Sequence, residues 1–151
     1  MESGNIVLIT GIVGSMIAPA VLLFLAALCL WLVLKIVMKS QAGYKKAMEL
    51  YGLSSLLGTL GLLVTLILMH LFDTLHATPG GQLLVMNSFD RTNITHKLLS
   101  SITIFGVWQT AVIGIGLGKF SGKSTGFGMG VSFALWALLV ILSTITGFGI
   151  L

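Results

Sequence analysis

A chain of 151 residues in which 56% are apolar and only 8% charged, with a mean hydropathy of +1.09, is no ordinary soluble domain, since those carry about 25% charged residues. Its net charge is +4 and its pI about 9.5, yet the eight basic residues are dispersed through apolar sequence and form no phosphate-tracking stripe. That excludes nucleic acid as a partner and leaves the positive charge to membrane topology. Cys29 stands alone in an apolar run, so no intrachain disulfide is possible, and it reads as a buried small hydrophobe.

The first apolar run, Ser3 to Leu34, carries no charge. At about 1.5 Å per residue it is longer than a hydrocarbon core of roughly 30 Å requires. Pro19 is the natural place for a kink, because it removes a backbone donor. One kinked span over about 6–34 is expected; the alternative is two short helices, the one before Pro19 shallow or re-entrant. Glu2 stands where a cleavable signal peptide would have a basic region, which argues against such a peptide.

Lys35, Lys39, Lys45 and Lys46 follow as the densest cationic stretch, with Tyr44 and Tyr51 beside them as interfacial aromatics. They anchor topology and can hold anionic headgroups, each cation contributing about 1 kcal/mol. Residues from about 40 to 50 are polar enough for an interfacial helix or a loop. A second span is expected at 51–69, with Ser54, Gly58 and Gly61 suited to close helix packing.

Residues 70–97 form the longest aqueous loop, turned at Pro79-Gly80-Gly81. His70, Asp73 and His76 lie three apart and would be neighbours on a continued helix. Imidazole and carboxylate groups can ligate a transition metal or pass protons, and His96 could join from the far end of the loop. Thr74, Thr78 and Pro79 mark a fraying helix end, so the cluster reads as solvated and interfacial, with no metal and no cofactor assigned. Asn93-Ile94-Thr95 fits a glycosylation acceptor pattern.

A third span is expected at 98–118 and a fourth at 125–151. Glycines recur there every four residues: Gly114, Gly118, Gly122, Gly126 and Gly130, followed by Ala134. A step of four returns to nearly the same helix face, and a face without Cβ atoms lets another backbone approach closely. The two spans therefore predict a tight hairpin joined by a lysine-bearing turn. Gly122-Lys123-Ser124 imitates the end of a phosphate-binding loop, but Leu117 occupies the position of the first glycine, which excludes that motif.

With four spans, Lys35, Lys39, Lys45, Lys46, Lys119 and Lys123 share one side, opposite Arg91 and Lys97. The bias places the lysines in the cytoplasm and both termini and the 70–97 loop outside. The expected architecture is an all-α polytopic transmembrane helical bundle, N-out and C-out. No ionisable residue lies in the central part of any span, which argues against an ion-coupled pump acting alone. Neither paired carboxylates nor a serine, histidine and acid set appears, so no catalytic residue is assigned and no enzyme is expected.

Gly43-Tyr44-Lys45-Lys46 leading to Leu50-Tyr51-Gly52-Leu53-Ser54-Ser55-Leu56, and Ser101 to Trp108 with Gly114-Ile115-Gly116-Leu117 behind it, resemble the YIP1-domain family of polytopic membrane proteins. The likeness covers roughly residues 43–140. Thr103 stands where bacterial members commonly have an acidic residue, and Leu56 and Leu57 where a proline is usual. Members typically have five spans, so this chain looks one short. Eukaryotic relatives are associated with early secretory membranes and Rab GTPases, through regions absent here, and the bacterial branch has no general activity. The chain is expected to be a non-enzymatic, YIP1-like structural or accessory subunit, or a membrane organiser, in a bacterial inner membrane, with lipid and other transmembrane helices as partners, in a homo-oligomer or a larger membrane complex. The alternative is a small transporter or channel component with a polar site at His70, Asp73 and His76.

Overall fold

A computed structural model describes residues 2–90 and 92–146. Helix α1 spans Glu2–Leu32 and stays helical through Pro19, so the first apolar run is one helix rather than two. The regular ladder relaxes later, in a π-helical turn at Val33–Val37. There Met38 N–H donates to the Val33 carbonyl at 3.0 Å and Ser40 N–H to the Leu34 carbonyl at 2.8 Å. Lys39, left-handed at φ 52°, then redirects the chain.

Helix α2 covers Tyr44–Leu71. Residues 44–50 are its first turns, neither a loop nor a separate interfacial helix. No Gly or Pro interrupts Tyr44 to Tyr51, Ala47 and Leu50 are buried, and Ala, Met, Glu and Leu all favour helix. A 3₁₀ segment at Gly81–Ser88 precedes α3 at Ile94–Ser101, α4 at Ile104–Ser121 and α5 at Thr125–Thr146.

The third apolar run is thus divided, and α4 begins at Ile104 instead of near Leu98. Two N-caps explain the division. Asn93 Oδ1 accepts from Thr95 N–H at 2.9 Å to start α3, and Thr103 Oγ1 accepts from Gly106 N–H at 3.0 Å to start α4. Between them Ile102 and Thr103 are extended, as β-branched residues prefer. The turn at Pro79-Gly80-Gly81 holds them there: Gly81 N–H donates to the Ile102 carbonyl at 2.9 Å and Ile104 N–H to the Pro79 carbonyl at 3.0 Å. This isolated bridge is the nearest approach to a sheet, for the described residues contain no strand. Residues 147–151 of the expected fourth span lie outside the described residues.

Four helical stretches are long and apolar enough to cross a bilayer: Ile17–Val37, Tyr44–Leu71, Ile104–Ser121 and Thr125–Ile145. Large apolar side chains point outward along them, Leu53, Leu62, Leu66 and Ile145 among them. The fold is all-α and polytopic, as the composition requires.

The chain forms two compact units, Met1–Gly52 and Leu53–Leu151, with α2 opening in the first and continuing in the second. In the first unit Tyr44 O–H donates to the Phe24 carbonyl at 3.1 Å, and its ring meets Trp31 edge-on at 6.5 Å. Ala27, Leu34, Met38, Ala42, Ala47 and Leu50 are buried there. In the second unit the dominant feature is the antiparallel hairpin of α4 and α5.

Candidate helix-packing and loop sites

On α4 the buried residues are Thr110, Gly114, Leu117 and Gly118. A Cβ added to Gly114 would stand 2.6 Å from Met129 Cα, and one on Gly118 would stand 3.0 Å from Thr125 Cα. These two expected packing glycines line the hairpin interface. Gly122 does a different job. It caps α4 in the left-handed conformation at φ 69°, with its N–H bonded to the Gly118 and Lys119 carbonyls, a role that suits glycine.

The cap resets the helical phase, and the expected ladder does not continue on the same face. Gly126 and Gly130 have nothing within 4 Å of a Cβ, and both are exposed, as is Ala134. The face of α5 that meets α4 is instead built on Gly128, Ser132 and Val140, all buried. A Cβ on Gly128 would run into the Gly114 carbonyl and lie 2.8 Å from Gly118 Cα. One turn on, Ser132 O–H donates to the Thr110 carbonyl at 2.8 Å, a buried bond between helices. Gly128 and Ser132 were missed because the four-step was counted straight through the turn. Counted afresh from Thr125, Gly128-x-x-x-Ser132 is the same small-residue signal, facing Gly114-x-x-x-Gly118.

On α2, Gly61 lies against Phe105, whose Cβ would be 2.9 Å from an added Cβ. A Cβ added to Gly58 would lie 3.3 Å from the Gln109 side-chain oxygen, and Gly58 is itself exposed.

The loop residues fall differently from their spacing. α2 ends at Leu71, with His70 exposed in its last turn, and Asp73 is left-handed at φ 47°. The helical neighbourhood of His70, Asp73 and His76 therefore does not form. His76 stacks on Phe89 at 4.8 Å, and Phe89 on His96 at 6.1 Å. Asp90 N–H donates to His96 Nδ1 at 3.0 Å, while Asp90 Oδ1 accepts from the Thr92 amide at 2.8 Å and hydroxyl at 2.7 Å. Those Thr92 bonds hold the Asp90 carboxyl below the usual aspartate range, and His96 adds a smaller electrostatic pull. Among the described residues no three His, Cys, Asp or Glu side chains converge as metal ligands. What the loop builds is a stacked-ring cluster that fixes its own path.

Lys35 lies in the π turn, Lys39 at the left-handed residue, and Lys45 and Lys46 in the first turn of α2, all exposed. Cations at a helix N-terminus oppose its dipole, so helix stability does not explain the placement of Lys45 and Lys46, whereas Lys35 lies at a C-terminal end where a cation is favourable. Cys29 is exposed rather than buried. It lies on a stretch of α1 that includes exposed Leu25, Leu28 and Leu32, where lipid supplies the apolar surroundings expected of a protein core.

Over 139 residues the chain is 30% identical to the membrane protein YknW of Bacillus subtilis, the match covering 91% of this chain and 58% of that protein. The chain thus spans about three fifths of the length of the curated relative it matches. No protein-family model and no solved structure matches it. Similarity to a membrane protein, together with four helices of membrane-crossing length and apolarity, makes this chain a multi-pass integral membrane protein.

Proposed function

We propose that the protein is a non-enzymatic structural membrane protein of the YIP1 type, an accessory subunit or membrane organiser that acts through helix packing. The two stretches that carry the family likeness lie on α2 and around the start of α4, and these helices approach each other at Gly61 and Phe105. Positive charge on the Lys35–Lys46 and Lys119–Lys123 segments supports an N-out, C-out orientation, with those turns in the cytoplasm of a bacterial inner membrane.

The observation that carries the reading is the outer face of α5. Gly126, Gly130 and Ala134 make a ridge nearly without side chains, open along its length. Within lipid, such a ridge is best covered by another helix backbone. Lys123 stands at its foot, with Nζ 4.6 Å from the Phe127 ring centroid. Two copies inserted the same way and joined on this face would bring their Lys119 and Lys123 together, which like charges oppose. The occupant is therefore a transmembrane helix of a different subunit, with an acidic residue beside its cytoplasmic end.

Native electrophoresis after mild detergent extraction tests this. The wild-type chain is expected to carry a second, different protein in its band, identified by mass spectrometry, and the double variant Gly126→Leu, Gly130→Leu is expected to lose that protein. Substituting His76 and His96 by Ala should leave the assembly intact. A wild-type chain that runs alone, or an assembly indifferent to both leucines, defeats the proposal. The transporter alternative lacks comparable support, since His70, Asp73 and His76 do not converge.

A further inference from the structure

We infer that Gln109 is a pairing site at which two copies of this chain join within the bilayer. The inference goes beyond the proposed function, because it concerns the side of α4 that faces Gly58 and not the outer ridge of α5.

Gln109 is the one carboxamide inside the four membrane-crossing stretches. Hydroxyl groups nearby spend their protons on their own helices: Thr59 donates to the Ser55 carbonyl at 3.2 Å, Thr65 to Gly61 at 2.8 Å and Thr110 to Gly106 at 2.8 Å. A carboxamide offers two N–H donors and a carbonyl acceptor, and Gln109 has no hydrogen-bond partner among the described residues. It lies about 7.5 Å beyond the first residue of α4 along the helix axis, inside the hydrocarbon when Ile104–Ser121 spans. Water is scarce at that depth, so an unpaired amide is costly. Yet the group is only half-buried, and Gly58, on which an added Cβ would lie 3.3 Å from its oxygen, is exposed. The amide therefore sits in a crease that is open to lipid.

The group's own chemistry selects a second copy as the occupant. An amide is donor and acceptor at once, so two related by a two-fold axis along the membrane normal satisfy each other with reciprocal N–H···O=C bonds. Two copies inserted with the same orientation hold Gln109 at the same depth automatically. A different helix would need a matching polar group at that one level. The amide is also neutral, so its own pairing brings no like charges together at that depth.

The test is intermolecular energy transfer between labelled full-length chains, reconstituted at low density in phosphatidylethanolamine and phosphatidylglycerol vesicles. Wild-type protein is expected to dimerise. Gln109→Leu should weaken association about tenfold, the effect of losing two interhelical hydrogen bonds in lipid. Gly126→Leu with Gly130→Leu should leave the dimer unchanged, which separates this inference from the proposed subunit contact. Independently, Q109C in a Cys29→Ser background should link two copies through a short bis-methanethiosulfonate reagent. That result decides the matter if Gln109→Leu loses its helical circular dichroism. A monomeric wild type, association unaffected by a folded Gln109→Leu, or failure of Q109C to cross-link each overturns the inference.

Discussion

Gly128→Ala is the sharpest test of the hairpin, because one methyl group there meets backbone and has no side chain to push aside. The new Cβ would lie 2.8 Å from Gly118 Cα and closer still to the Gly114 carbonyl. Relief requires α4 and α5 to part by about half an ångström or more, and overpacking of this kind costs about 1–3 kcal/mol. The rigidity of the opposing atoms places this site at the upper end. Separation also strains the buried bond from Ser132 to the Thr110 carbonyl, and interhelical bonds in membranes average about 0.6 kcal/mol. A loss of about 3 kcal/mol is expected in reversible unfolding in mixed micelles. Gly130→Ala is the matched control, two residues along on the open face. It adds a methyl to empty space and removes a flexible residue from a helix, for a gain of about 0.5–1 kcal/mol. Equal effects of the two substitutions, or a larger loss at Gly130, would refute the assignment of faces on α5.

Two further outcomes can be checked on the loop and on topology. Asp90 has a depressed folded pKa, so what its carboxylate contributes is complete above the usual aspartate value of about 3.9 and fades only as pH falls through the lowered one. The Thr92 amide should stay protected from hydrogen exchange at pH values where a free aspartate is half protonated, and Asp90→Asn should abolish the acid-side step; loss of protection at higher pH contradicts the hydrogen-bonded turn. For orientation, N87C and Q41C are placed singly in a Cys29→Ser background. An impermeant maleimide applied to intact cells should label the first several-fold faster than the second, and the reverse order would invert the proposed topology.

The apolar helices were legible because a bilayer imposes a length and a composition that few other environments demand. Their ends were less so, since ends depend on single hydrogen bonds. The break at Ile102-Thr103 turns on Thr103 capping α4 and on partners more than twenty residues upstream, at Pro79 and Gly81; a hydropathy average over Leu98–Gly118 registers neither. The packing glycines were half legible for a related reason. Period four identifies a face only within one helix, and Gly122, read as another rung, is the residue that ends α4. Beyond it the same period selects two faces of α5 that are both rich in small residues. Gly128 and Ser132 turn inward, while Gly126, Gly130 and Ala134 turn outward. A helix that needed only one partner would have use for one such face. On the proposed reading the closed face serves α4 and the open one serves a helix of another subunit.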